Sequence, residues 1–239
     1  ASPPITDDGF AIWQGKECKR DILSDIYTSG GLCYSFNIID PKEILVDPEE
    51  YKTTTYHTKS KGWSLEGGYQ SEDRTDDFPK RTFISGVSGG LQIDLLIDGS
   101  HIDRFCSDTF DGFQVTIHHP AEFPNMDASF SVPLDQIVSV AIKPKLITVS
   151  EELKNYRPKY RKCYFSNERH LTYFRSYSQH NCLSECFTNY TIQKCGCVAF
   201  YMPKSKLFPI CGPASIECVE TSRSKGFSFA CHCINSCFF

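Results

Sequence analysis

The residues of this chain most able to do chemistry are its cysteines, and their spacing separates the uses a thiol can have. Ten of the thirteen fall within residues 163–237: Cys163, Cys182, Cys186, Cys195, Cys197, Cys211, Cys218, Cys231, Cys233 and Cys237. A zinc site usually shows two Cys-x2-Cys or Cys/His clusters at knuckle spacing, and neither Cys195-x-Cys197 nor Cys231-His232-Cys233 has it. A nucleophilic thiolate needs a free cysteine and a base held by a third group. His118, His119, His170 and His180 offer bases, but no recognisable nucleophile signature surrounds any cysteine. His118 and His119 stand before Pro120 at a strand end and read as a surface corner. Cross-linking is the better use. Thirteen cysteines are too many for a cytosolic enzyme and point to the secretory route, and the odd count leaves at least one thiol unpaired within the chain.

Two cysteine pairs fit one another. Cys182 and Cys186 share one face of a helix, about 6 Å apart along its axis. Cys231 and Cys233 share one face of an extended strand, at roughly 6.6 Å. A helix packed along that strand could close two adjacent disulfides with little strain. Spacing alone leaves the pairing open, since ten cysteines allow hundreds of connectivities.

Two further groups of residues could carry chemistry. Glu72, Asp73, Asp76 and Asp77 lack the calcium-loop spacing with a central glycine and read as a solvated acidic loop. Asn189-Tyr190-Thr191 is the only Asn-x-Ser/Thr sequon. On a helix starting at Cys182, Asn189 points close to the Cys182/Cys186 direction, so a glycan there would crowd the disulfide seam.

The patterning of the 239 residues, enough for one large domain or two smaller ones, gives the strands and helices that carry these side chains. The net charge of −4 argues against a nucleic-acid or anionic-membrane surface. No run approaches the ~18–20 apolar residues of a membrane span, and the start lacks the basic and apolar regions of a secretory signal. An extracellular-type chain without a signal reads as a piece of a longer one. Residues 38–82 are polar and rich in turn formers and read as a long surface excursion. Alternation over Leu91–Ile97, Phe113–Ile117 and Val138–Ile142 predicts three strands of one antiparallel sheet. A short strand is expected around Cys33. Leu171, Phe174 and Tyr177 have helix-like spacing, and Cys182–Lys194 reads as a disulfide-anchored helix. Pro203, Pro209 and Pro213 mark a loop beyond it. The fold class is α+β.

The run from Tyr177 through Cys182-Leu-Ser-Glu-Cys186-Phe-Thr to Cys195-Gly-Cys197 resembles the signature of the degenerin/epithelial sodium channel family, in its insect pickpocket-like branch. Gly31-Leu-Cys33-Tyr-Ser-Phe-Asn37, Gly112-Phe-Gln-Val-Thr-Ile-His118-His-Pro120-Ala-Glu122-Phe-Pro124 and Cys197-Val-Ala-Phe-Tyr-Met-Pro203 resemble other family segments. The resemblance spans roughly Cys18 to Cys237. It implies a hand-shaped fold: residues 1–82 a finger and upper-palm region, 83–160 a palm and β-ball sheet, 161–239 a disulfide-stapled thumb. It implies a nested ladder of Cys163–Cys237, Cys182–Cys233, Cys186–Cys231, Cys195–Cys218 and Cys197–Cys211, each rung contributing roughly 3 kcal/mol, so that the thumb acts as a rigid lever. Cys18, Cys33 and Cys106 fall outside the ladder, their partners lying outside this chain or absent. His118, His119 and Glu122 stand as candidate gating contacts.

The function implied is that of the extracellular part of a sodium channel subunit, coupling a ligand, protons or force to a cation pore. The implied partners are other channel subunits in a homo- or heterotrimer, with sodium ions passing through the intact channel and an unidentified extracellular stimulus. The implied location is the extracellular side of the plasma membrane. No cofactor, metal or enzyme activity is implied. The alternatives are a secreted cysteine-rich binding module without a pore, and a secreted hydrolase, which would need an accessible low-pKa thiol.

Overall fold

The computed structural model describes residues 11–18, 22–48, 58–65, 67–70, 77–97, 111–145, 149–204, 206–225 and 231–237. The chain divides into two compact units, one of residues 1–39 and 53–139, the other of residues 40–52 and 140–239.

In the first unit, β1 (Ala11–Trp13) and β2 (Lys16–Cys18) form a hairpin through Gln14-Gly15, both at positive φ (51° and 73°). A two-residue turn of that kind matches the natural twist of the strands it joins. β3 (Leu23–Thr28) and β4 (Gly31–Phe36) pair antiparallel from Leu23↔Phe36 to Thr28↔Gly31. Leu23 and Ile26 of β3 are buried, as are Ile38 and Ile39 just after β4. β5 (Trp63–Ser64) and β6 (Gly68–Tyr69) make a small hairpin. β7 (Leu91–Ile93) pairs with β1, and β8 (Gly112–Thr116) pairs with β9 (Ser129–Pro133).

The three strands predicted to share a sheet therefore do not. β7 ends at Ile93 and borders the β1–β2 hairpin, β8 takes β9 as its partner, and residues 138–142 form no strand. Ile137 and Ile142 are exposed. Alternation prepares a segment for a ladder, but only a neighbouring edge supplies one; no described strand pairs with 138–142.

The predicted surface excursion is also only partly one. Asp40 accepts a hydrogen bond from the Lys42 backbone N–H and caps α1 (Pro41–Ile44), with Pro41 in its first turn. Ile44 and Leu45 are buried within the second unit. Leu45 forms an isolated bridge with Phe174. That bridge, with the Tyr173 N–H bonded to Glu185 at 2.9 Å and Arg175 donating to the Leu45 carbonyl, leaves 171–177 irregular although Phe174 and Tyr177 are buried at helix-like spacing.

The second unit also contains α2 (Pro158–Arg161), β10 (Cys163–Tyr164), α3 (Gln179–Cys195), α4 (Ile216–Lys225) and β11 (Asn235–Ser236), with β10 and β11 paired in parallel. α3 starts three residues before Cys182 because Ser178 caps it, accepting from the Asn181 N–H. It stops where Gly196 turns left-handed at φ 71°. Its buried residues are Asn181, Cys182, Thr188 and Thr191, an unusually polar set. α4, which the proline-marked stretch did not reveal, follows a turn at Pro213–Ser215 and packs against α3. Ala199, Met202 and Val219 form one apolar cluster, and Cys163, Phe165 and Cys237 another.

Candidate functional site

In the second unit the structure joins the ten cysteines of residues 163–237 as Cys163–Cys237, Cys182–Cys233, Cys186–Cys231, Cys195–Cys218 and Cys197–Cys211. α3 carries Cys182 and Cys186 one turn apart, and their partners lie two apart on segment 231–234. The Cα–Cα distances of 5.8 and 6.0 Å lie inside the range a disulfide spans without backbone movement. Segment 231–234 belongs to no sheet, contrary to the predicted strand. Side chains take the place of a ladder: the carbonyls of His232, Cys233 and Ile234 accept from Arg169 (2.6 Å), Gln179 (3.3 Å) and the Tyr177 hydroxyl (2.5 Å). Tyr177 is buried, and its burial pushes the phenol pKa up, so the hydroxyl remains a donor. Cys195–Cys218 ties α3 to α4, and Cys197–Cys211 closes the loop between them. The result is a helix fixed along its length by covalent bonds where its inner face has little apolar surface to bury.

The histidine corner lies in the first unit, just after β8. The His119 carbonyl can only accept, so His118 donates to it from Nδ1 at 2.9 Å. In the neutral ring Nε2 is then the acceptor, and it sits 2.8 Å from the hydroxyl of buried Ser35 on β4. His119 runs the other tautomer: its Nδ1 accepts from the Ala121 N–H at 3.2 Å, and its ring lies 6.0 Å from that of Trp63 on β5. Protein crowding around both rings pushes their pKa values below that of a free imidazole, while the Glu122 carboxylate pulls the other way. Glu122 is held close because its N–H bonds to the His119 carbonyl at 3.0 Å. His119 is exposed and His118 half-buried, so the corner lies at the surface, as the sequence suggested, while its two neutral imidazoles hold one turn against β4 and β5. Ser35 with His118 has the spacing of a nucleophile and its base, but Ser35 is buried and the group orienting the imidazole is a backbone carbonyl. This arrangement positions a turn and presents no nucleophile to a substrate.

The remaining predicted residues are scattered. Cys18 and Cys33 are half-buried and carry no disulfide among the described residues, and Cys33 Sγ lies 3.1 Å from Thr28 Oγ1. Cys106, Glu72, Asp73 and Asp76 lie outside the described residues. Asp77 is not a solvated loop residue. It is buried and paired with Arg81 at 3.2 Å, whose guanidinium lies 4.2 Å from the Tyr69 ring. The fold explains the glycine at position 62 beside this cluster: its φ is 66°, and a Cβ there would fall 2.3 Å from Asp77 Oδ1. Asn189 is exposed on α3. Among the described residues, no three His, Cys, Asp or Glu side chains gather as they would around a metal ion, and no helix is long and apolar enough to cross a membrane.

Residues 10–239 match the family model described as amiloride-sensitive sodium channel. Pickpocket protein 28 of Drosophila melanogaster is 28% identical over 212 residues, which cover 85% of this chain and 35% of that protein. Pickpocket protein 11 of the same fly is 32% identical over 133 residues, or 54% of this chain and 26% of that protein. Acid-sensing ion channel 2 of Danio rerio is 27% identical over 217 residues, or 88% and 33%. The chain thus spans about a third or less of the length of these curated relatives.

Proposed function

This chain belongs to the amiloride-sensitive sodium channel family, and on that premise we propose that it is part of the extracellular region of a channel subunit whose movements gate a sodium pore. In this reading residues 161–239 are the thumb, 83–160 the palm and β-ball, and 1–82 the finger and upper palm. The intact subunit assembles with others, as a homo- or heterotrimer, in the plasma membrane. The family match over nearly the whole chain carries the reading, and the cystine-fixed α3 supports it mechanically. A stimulus does work on a pore only if it favours one arrangement of the ectodomain over another and if the moving part does not deform. A helix cross-linked at both ends of its length meets the second condition. The corner of His118, His119 and Glu122 is the proposed gating contact, since it fixes a turn to two strands through groups that change with pH.

The test is to obtain the complete coding sequence, express it in oocytes and record sodium current under acid, candidate ligands and membrane stretch. The expected result is a current opened by one of these stimuli. Removing Cys186 and Cys231 together should abolish the response while subunits still reach the surface. A complete coding sequence without apolar spans of about 20 residues would replace the channel with a secreted binding module.

A further inference from the structure

We propose that Asn189 carries an N-linked glycan, and that the glycan is attached before α3 folds. The proposal rests on the extracellular reading above, because such transfer occurs in the lumen of the secretory route. Asn189 begins the only sequon of the chain and is exposed on the surface of α3. Its Oδ1 accepts a long hydrogen bond, 3.4 Å, from the Tyr173 hydroxyl, and its Nδ2 makes no hydrogen bond among the described residues. The sugar attaches at Nδ2 and leaves Oδ1 an amide acceptor. Glycan and tyrosine therefore use different atoms of the same exposed side chain.

The timing comes from Thr191. Transfer requires the enzyme to hold the asparagine amide and the hydroxyl two residues later together. On a helix these two positions point about 200° apart, to opposite faces. Asn189 faces solvent, while Thr191 has 0% exposure and its Oγ1 has no hydrogen-bond partner among the described residues. No enzyme groove can engage both on folded α3. The hydroxyl that has no role in the folded helix is the one transfer needs in the unfolded chain. During transfer Asn189 Nδ2 bonds to the anomeric carbon of a lipid-linked oligosaccharide. The bond from that carbon to the pyrophosphate oxygen breaks, the lipid pyrophosphate leaves, and the lost Nδ2 proton passes to the enzyme. Once Cys182–Cys233, Cys186–Cys231 and Cys195–Cys218 close around α3, the sequon is sealed. Occupancy is then set by a race between transfer and disulfide closure.

The experiment is to secrete residues 1–239 behind a cleavable signal from insect cells and map Asn189 by mass spectrometry after peptide N-glycosidase treatment in heavy-oxygen water. Asn189→Gln and Thr191→Val are made in parallel, the valine keeping the buried shape and removing only the unpartnered hydroxyl. A glycan at Asn189, lost in both variants while each keeps the five disulfides, is the expected result. Mild reductant during synthesis should raise occupancy. A secreted, oxidised chain with bare Asn189 overturns the proposal. Occupancy indifferent to reductant overturns its timing. A chain recovered with all cysteines reduced overturns the extracellular reading itself.

Discussion

His118 donates from Nδ1 and accepts at Nε2, a pattern that only its neutral ring can make. Burial lowers its pKa from 6.5, so the unfolded chain takes up the proton first as pH falls. Stability from this residue is complete above 6.5 and is lost as pH drops through the lowered folded-state value. His119 contributes with the same sign. Denaturant unfolding of the first unit should therefore show stability falling from neutral to mildly acid pH, and His118→Gln should flatten that slope without removing it. At Gly62 the constraint is steric and conformational, since φ is 66° and a Cβ would meet the buried Asp77 carboxylate at 2.3 Å. Gly62→Ala should cost at least about 2 kcal/mol in the same measurement. Thr191 points the opposite way: its buried hydroxyl is unsatisfied, so Thr191→Val should stabilise the second unit by about 1 kcal/mol, read as a raised melting temperature.

α3 is an element whose stability comes more from cross-links than from an apolar face, because the residues it buries are Asn181, Cys182, Thr188 and Thr191. The adjacent rungs Cys182–Cys233 and Cys186–Cys231 close sequence separations of 51 and 45 residues. With one rung in place, the other closes only a short additional loop. Loss of either alone should cost about 2–3 kcal/mol on the loop-entropy model. Loss of both should cost more than the sum, because only then is the long loop released. Additive losses in a double-mutant cycle of paired serine replacements would sink this account. The alternating stretches teach a related lesson. Leu91–Ile93 and Gly112–Thr116 became strands because β1 and β9 lie beside them, whereas 138–142 has the pattern and no described partner.

For the whole molecule, the division of labour between the units is a matter of covalent chemistry. Among the described residues, the five disulfides all lie in the unit of residues 40–52 and 140–239, while the other is held by hairpins and by Leu23, Ile26, Ile38 and Ile39. Reduction under native conditions should therefore open 160–237 and leave 11–39 and 111–133 protected, as hydrogen exchange read by mass spectrometry would show. Equal loss of protection in both would mean that the first unit depends on the second for its fold.

The family, the α+β class, the helix bearing Cys182 and Cys186, and the presence of a stapled module were legible in the order of the residues. These rest on local spacing, which one helix turn or one turn residue can fix. That His118 reaches Ser35 across 83 residues, that Asp77 is buried against Arg81, and that Thr191 faces inward while Asn189 faces out emerged with the folded chain. Such contacts depend on which segments the folded chain brings together, and burial, not residue type, sets the charge state of an imidazole or the exposure of a hydroxyl.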